Sequence, residues 1–452
     1  VEETGRRRSR RTALQSEDRE LSRRQRSKLV SNTRDLQRNM SIAAWAIRKH
    51  LDYCSTFSFQ CRTGILDLDD RIESLMTWWS RPVNCDISSR HSLQRLVRLA
   101  EERRTIDGDV FIMKLSDGRI QIIEGDRVQT PSSDLPASFD SARLVHGVDV
   151  SSEGRARRYV ICDRGDSANR FTFRAAIPAE FIYQHGFFDR YDQVRGVSPL
   201  AAALNTFSDV YECAEYALAK AKVSQLFGLK FKRAGDQPLT PDDNAQTPYQ
   251  FNFGQGPQLL DLDPGDDAEF IESNTPSTEF SAYCEKMIGA SLKALDIPYS
   301  FYDESFTNYS GARQALLQYE QSAQCKRADV QQFLNQLTAW RVGLWIEDGE
   351  LALPKGMMLG DVTWDWIPAG LPWIDPLKEV NADVTAIQAG LSSRQQVCRE
   401  RGQDFFSIAD QLAQEHAYMK EKGLISDPVE VPASGDERAD EQTNDKANDQ
   451  DN

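Results

Sequence analysis

The sequence predicts an α+β protein with a two-helix stalk, a small mixed insert at the tip of that stalk, and a helical C-terminal region. Three observations predict it. Apolar residues recur at helical spacing over 15–60, 69–80, 88–105, 198–223, 276–295 and 310–347. A period of two takes over between 109 and 181. Turn formers, among them Gly235, Pro238, Pro241, Pro248, Pro257 and Gly265, crowd 229–275, between two of the helical stretches.

The elements follow in order. In the first stretch, Leu36, Met40, Ala43, Ala44 and Ile47 share one face, and the pattern extends the helical region to 60. The stretch 88–105 reads as a helix capped by Ser89, with Leu93, Leu96, Val97 and Ala100 on its stripe. Strands are expected at 109–115, 120–124 and 127–130, the first two joined by a Ser116-Asp117-Gly118 turn. Further strands at 144–150, 158–163 and 170–173 carry the pattern to about 181.

Ser198 opens a long helix, and Pro199 suits its first turn. Leu200, Leu204, Phe207, Val210, Tyr211, Ala214 and Ala217 form its stripe. The second stalk helix, 276–295, aligns Phe280, Tyr283, Met287, Ile288 and Leu292. A loop over 297–309 leads into the helix 310–347, which carries Tyr319, Val330, Phe333, Leu334 and Leu337. Trp364, Trp366 and Trp373 fit either a stacking platform for bases or, the favoured reading, core and interface positions. Three short helices, 376–389, 392–401 and 407–422, close the pattern. Gly390 and Gly402 separate them, with Ser392 or Ser393 and Ser407 as caps.

The 452 residues are 40% hydrophobic and 27% charged, enough for a sizeable core. Collagen-like, mucin-like and wholly disordered chains are excluded. No apolar run approaches the roughly 20 residues of a membrane span, so no membrane association is expected. No leader-like segment opens the chain, and a first residue of Val rather than Met suggests a trimmed or processed start. The eight cysteines are dispersed without a Cys-x-x-Cys pair, so reduced, packed thiols are expected.

Charge is uneven. The net charge is −15, yet residues 1–50 carry 14 Lys and Arg against 6 acids. Residues 427–452 carry 2 basic residues against 9 acids, and from 426 onward the composition predicts disorder. The run Arg6 to Arg11 is either a solvated arm or a contact for nucleic acid or an acidic partner. An acidic body argues against tight, extensive phosphate binding.

No phosphate-binding loop, nucleophile elbow or zinc-protease motif is present, so no catalytic residue, cofactor or metal is assigned. The densest chemical cluster is Asp261, Asp263, Asp266, Asp267, Glu269 and Glu272. Carboxylates suit a divalent cation, but the spacing is not that of a calcium loop and Pro264 interrupts it. A solvated acidic surface or docking patch is the plainer reading.

Four segments then become specific together. The junction Gln193-Val194-Arg195-Gly196-Val197-Ser198-Pro199-Leu200 resembles one found in tailed-phage portal proteins of the lambda family. Asn308-Tyr309-Ser310-Gly311-Ala312-Arg313 is similar to that family's Asn-Tyr-Ser-Ser-Ala-Arg, with Gly311 in place of a serine. Trp373-Ile374-Asp375-Pro376-Leu377-Lys378-Glu379 resembles its Trp-Ile-Asp-Pro-x-Lys-Glu. Ala389-Gly390-Leu391, followed by Glu400-Arg401-Gly402-Gln403-Asp404, resembles the next segment. Order and spacing match over roughly 25–425.

The resemblance implies a ring of twelve subunits at one capsid vertex, through which double-stranded DNA passes without sequence specificity. Its implied partners are the terminase large subunit, a head–tail connector or adaptor, and the major capsid protein. The implied location is the virion, with host cytoplasm during assembly. The implied regions are a basic arm (1–24), a wing (25–197 and 311–375), stem helices (198–225 and 276–296), a clip (226–275), a tunnel loop (297–310), a helical crown (376–425) and the acidic tail (426–452). Tyr299, Phe301, Tyr302, Asp303, Glu304, Asn308 and Tyr309 would then face the channel, unless the aromatics are buried in the wing or crown. Asp261, Asp263, Asp266, Asp267 and Glu269 would be the clip docking surface. The alternative, from another class, is a metal-dependent nuclease or other DNA-processing enzyme using the same acids.

Overall fold

The computed structural model describes residues 14–132, 135–140, 142–165, 170–226, 229–232, 267–270, 278–303, 309–370 and 375–424. The Arg6–Arg11 run, Asp261, Asp263, Asp266, Glu304, Asn308, Trp373 and the acidic tail lie outside the described residues. The chain forms two compact units, 1–369 and 370–452.

The first unit opens with α1 (Glu17–Glu20), α2 (Arg23–Asn39) and α3 (Ser41–Cys54). Ser22 and Gln25 form a reciprocal capping box at the start of α2. The helical pattern stops at Cys54, not at 60: β1 (Phe57–Cys61) pairs antiparallel with β11 (Trp364–Pro368), Phe59 opposite Trp366. The partner lies some 300 residues away, so local periodicity could not announce this strand. Next come α4 (Leu66–Trp79), α5 (Pro82–Cys85) and α6 (Leu93–Asp107). Ser92 caps α6, accepting from the Arg95 amide at 3.3 Å; the expected cap, Ser89, has φ 56°. Asp86 gathers the amides of Ser88, Arg90 and His91, which holds that stretch as a turn and delays the helix.

Two antiparallel sheets follow. β2 (Asp109–Lys114), β3 (Ile120–Glu124) and β8 (Ile182–Gly186) form one, in the order β3-β2-β8. β4 (Leu144–Val145), β5 (Val148–Val150), β6 (Ala156–Arg164) and β7 (Phe171–Pro178) form the other, in sequence order. The strand expected at 127–130 is instead a tight turn, Gly125–Arg127, with a single bridge from Val128 to Ile161. Phe111, Ile123, Val128, Val148, Tyr159 and Ile161 pack between the sheets.

The stalk is α7 (Leu204–Leu226) against α8 (Thr278–Leu292). Beyond α7, β9 (Leu229–Lys232) pairs antiparallel with β10 (Asp267–Phe270). α9 (Tyr309–Glu347) then runs 39 residues and buries Val330, Phe333, Leu334, Leu337, Val342 and Trp345 against α4 and α6. Trp366 is a core residue, with Phe59 at 5.0 Å and its Nε1 donating to Thr338 Oγ1 at 3.0 Å. Trp364 donates to Asn335. The stacking-platform reading of Trp366 is thereby corrected, because its ring is buried and its indole N–H is engaged inside the fold.

The second unit contains α10 (Pro376–Gln388), α11 (Arg394–Glu400) and α12 (Phe405–Glu421). Ser393 caps α11 as expected. Asp404, rather than Ser407, caps α12, accepting from the amides of Phe406 and Ser407. Gly390 and Gly402 both have φ near 71°, which an L side chain would resist.

Candidate functional site

The stalk is rooted at the 193–200 junction, and the root is built around Arg195. Its guanidinium is 1% exposed and meets the fully buried carboxylate of Asp109, at the start of β2. The remaining guanidinium N–H groups donate to the carbonyls of Gly125, Val128 and His146. Burial alone would raise the Asp109 pKa; Arg195 and Arg26 outweigh it and hold that pKa below the ordinary value. Gly196 and Gly108 touch backbone to backbone: a Cβ on Gly196 would sit 2.2 Å from the Gly108 carbonyl oxygen. Ser198 Oγ donates to the Thr105 carbonyl at 2.6 Å and accepts from the Leu200 amide. One short motif thus ties the root of α7 to the end of α6 and the start of β2.

A second buried network ties α3, α6, β8 and α9 together. Glu101, fully buried, takes a hydrogen bond from His50 at 2.9 Å, from His185 at 2.9 Å and from Arg104 at 3.1 Å. Arg104 reaches on to Asp329 of α9. Desolvation lowers the pKa of both histidines, and Arg104 holds the Glu101 pKa well below the ordinary value despite its burial. This is a neutral-histidine, ionised-carboxylate cluster sealed from solvent, a fastening rather than a reactive centre. The sequence does carry a sign of it: Glu101 and Arg104 interrupt the apolar stripe of α6 on its buried side.

The stretch after α8 forms a packed turn before the chain enters α9. Ile297 is fully buried. Pro298 opens a single helical turn, Tyr299–Phe301, and the Asp303 amide closes on the Tyr299 carbonyl at 3.0 Å. Phe301 packs between Tyr53 at 6.0 Å and Tyr319 at 5.4 Å. Tyr302 meets Trp45 edge-on at 5.9 Å and Tyr299 at 5.7 Å, and remains 39% exposed. Asp296, in the left-handed region at φ 60°, pairs with Lys326 at 2.9 Å and accepts from Ser322 at 2.7 Å. The structure therefore sets Phe301 between α3 and α9, Tyr302 against α3 and Tyr299 beside Gly289 of α8. Tyr309 is the first residue of α9. Asp267 and Glu269 lie on β10, where the register sets them opposite Lys232 and Lys230.

A further acidic group, missed in the sequence, joins Asp107, Glu124 and Asp126, whose oxygens lie within 4.8 Å of one another. Two arginines already occupy it. Arg34 reaches Asp107 at 2.6 Å and Asp126 at 2.8 Å, and Arg164 reaches Glu124 at 2.5 Å and Asp126 at 2.8 Å. Burial pushes the Asp126 pKa up, and Arg164 with Arg34 more than reverses it. All eight cysteines are free. Burial pushes the thiols of Cys54, Cys61 and Cys85 up to about 12, far from the thiolate form that reactive chemistry needs.

The family described as phage portal protein, lambda family, matches residues 3–327, which include both sheets, the junction, the stalk and the start of α9. The chain belongs to the lambda family of phage portal proteins. The probable portal protein of Halomonas phage phiHAP-1 is 24% identical to it over 400 residues, covering 80% of this chain and 73% of that one. The portal protein of Escherichia phage N15 is 22% identical over 463 residues, covering 86% and 84%. Among solved structures, a chain in the virion of a native gene transfer agent (GTA) particle shares the fold. Its TM-score is 0.51 at 14% identity, over 83% of this chain and 93% of that one. In this portal protein the four specific segments occupy joints. One roots α7, one opens α9, one opens α10, and one brackets α11.

Proposed function

We propose that this portal protein closes into a ring of twelve subunits at one capsid vertex of a virion and acts there as a conduit for double-stranded DNA. The observation that carries this reading is the stalk surface. Tyr211 (50%), Tyr216 (71%) and Leu218 (55%) on α7 and Tyr283 (52%) on α8 stand exposed on a helix pair with no further layer over them among the described residues. Such a patch calls for a partner. A head-to-tail contact repeated around a rotation axis supplies one from each neighbouring copy and closes without leaving an edge.

The role proposed is structural, with no catalytic step. Twelve copies at −15 each carry −180, a field that repels phosphates and lets DNA slide rather than stick. The β9–β10 end of the stalk is the proposed clip, docking the terminase large subunit during packaging and a head–tail connector afterwards, while the wing meets the major capsid protein. The segment between α8 and α9 is the proposed channel loop.

Negative-stain microscopy of the purified protein, paired with light-scattering mass, tests the reading. A ring with a central hole that leaves DNA uncut in magnesium supports it. A stable monomer at micromolar concentration and ordinary salt overturns it.

A further inference from the structure

Two of the cysteines stand on facing sides of the stalk. Cys213 on α7 and Cys284 on α8 are free and half-buried, whereas Cys54, Cys61, Cys85 and Cys162 are sealed in the body. The packing sets the pair opposite one another. Near the root of the stalk, Val210 packs against the buried cluster that holds Ile288 and Leu292. Beyond the far ends of both helices, Lys230 stands opposite Glu269. The helices are thus antiparallel neighbours, and one turn outward from Val210 and Ile288 the facing residues are Cys213 and Cys284. The contact side of α7 continues as Ala217 and Ala221, side chains small enough to let the two backbones approach. Burial, with the adjoining Cys213 thiol and Glu285, pushes the Cys284 pKa above its ordinary value, so the two sulfurs lie within electrostatic reach of each other.

We propose that Cys213 and Cys284 form a disulfide that staples the two stalk helices together when the protein meets a low-molecular-weight disulfide oxidant. A disulfide bridges backbones whose Cα atoms lie within about 7 Å, a spacing that small residues at a helix contact permit. One cysteine thiolate attacks the oxidant, forming a mixed disulfide and releasing one oxidant thiolate. The second cysteine thiolate attacks the protein sulfur of that mixed disulfide, and the second oxidant thiolate leaves. The protein pair loses two electrons, the oxidant gains them, and the two departing thiolates take the two protons. A thiol pair with no depressed pKa gives no extra stability to the reduced form, which favours the bond at equilibrium. The bond closes the chain around the whole β9–β10 end, so that end can no longer move away by parting of the helices. Such bonds are broken in a reducing cytosol and persist in oxidising surroundings, so the staple belongs to the released particle. It lies within one subunit and does not depend on the ring.

The test incubates the reduced full chain with glutathione disulfide at mildly alkaline pH, then blocks the remaining thiols and digests without reductant. Mass spectrometry should find the peptides of Cys213 and Cys284 joined, lighter by two hydrogens, in protein that runs as a single chain on a non-reducing denaturing gel. The exposed Cys325 should carry glutathione instead. Oxidation should raise the thermal unfolding midpoint by about 3 °C or more, and dithiothreitol should reverse the rise. Cys213→Ser and Cys284→Ser, each alone, should abolish both the link and the rise, while the midpoint of the reduced protein moves by no more than about 1 °C. Glutathione found separately on Cys213 and Cys284, with no link between them, overturns the proposal. A link that joins two chains also overturns it, and places these thiols at an interface between copies.

Discussion

Arg195 and Asp109 meet twice inside the protein, Nε to Oδ2 at 2.6 Å and Nη2 to Oδ1 at 2.8 Å, with neither side chain reaching solvent. The pair spans 86 residues of sequence and joins the root of the stalk to the first strand of the sheet. Its geometry fixes where α7 leaves the body.

Asp109→Ala should therefore be severe. Removing one partner leaves Arg195 charged and buried, a loss of about 3–5 kcal/mol. Replacing both, as Asp109→Leu with Arg195→Met, should cost less, since Arg195 is then no longer stranded, although Arg26, 3.1 Å from Asp109, still loses that carboxylate. Thermal unfolding of the three proteins decides it. Equal losses in the single and double variants would mean that packing, not charge, holds the junction.

Stability should fall as the solution is acidified, in two stages. His50 and His185 have folded-state pKa values below their ordinary 6.5, so the unfolded chain takes up their protons first. Stability is full above about 6.5 and declines below it. Glu101 and Asp109, also depressed, add a second loss as the pH drops through about 4. Urea unfolding between pH 8 and 4 should show the first stage shrink in a His50→Gln/His185→Gln variant, the remainder coming from His146, whose pKa burial also lowers. A slope undiminished there would place its origin elsewhere.

Tyr216→Lys combined with Leu218→Lys should dissociate the assembly. Both residues are exposed in the isolated subunit, so unfolding of the subunit should change by no more than about 0.5 kcal/mol. A mass in solution unchanged from the parent ring would remove this face from the contact.

At the β9–β10 end, Asp266→Lys with Asp267→Lys should leave rings intact and lower DNA packaging, because exchangeable docking relies on complementary charge. Normal packaging with this variant would exclude the patch.

Removing Glu304 to Asn308 spares the aromatic turn. It should preserve the ring and early packaging while DNA retention near completion is lost. Phe301→Ala, by contrast, should destabilise the subunit by about 2–3 kcal/mol through its lost contacts with Tyr53 and Tyr319. Loss of the ring on deletion of 304–308 would make that segment structural.

Much of the architecture was legible because helix periodicity is local. The long helix read as 310–347 is Tyr309–Glu347, and the stalk helices shift by only a few residues or a turn. What escaped was long-range. The strand Phe57–Cys61 exists only because Trp364–Pro368 lies beside it. Ser89 has the chemistry of a cap, but Asp86 takes the neighbouring amides and moves the helix start to Leu93. The aromatics of 297–303 carry no sign in sequence of which wall they meet, since Tyr53 and Trp45 lie some 250 residues away. Arg195 was visible as part of a specific motif, yet its partner Asp109 was not, because an acid opening a strand looks like any solvated turn residue.

The mounting of α9 has a mechanical consequence. Its 39 residues span about 58 Å. None of the side chains from 310 to 318 is fully buried, whereas Tyr319, Ala323, Val330, Phe333, Leu334 and Leu337 are held in the body, with Arg327 bonded to the Tyr53 carbonyl and Asp329 to Arg104. The helix is thus a cantilever, only partly covered over its first turns and clamped from Tyr319 onward. A load applied where it begins is delivered along a single backbone rod into the α3–α6 core and, through Lys326 and Ser322 bonded to the Leu295–Asp296 turn, into the root of the second stalk helix, so the stiffness felt at that end is set by the clamp.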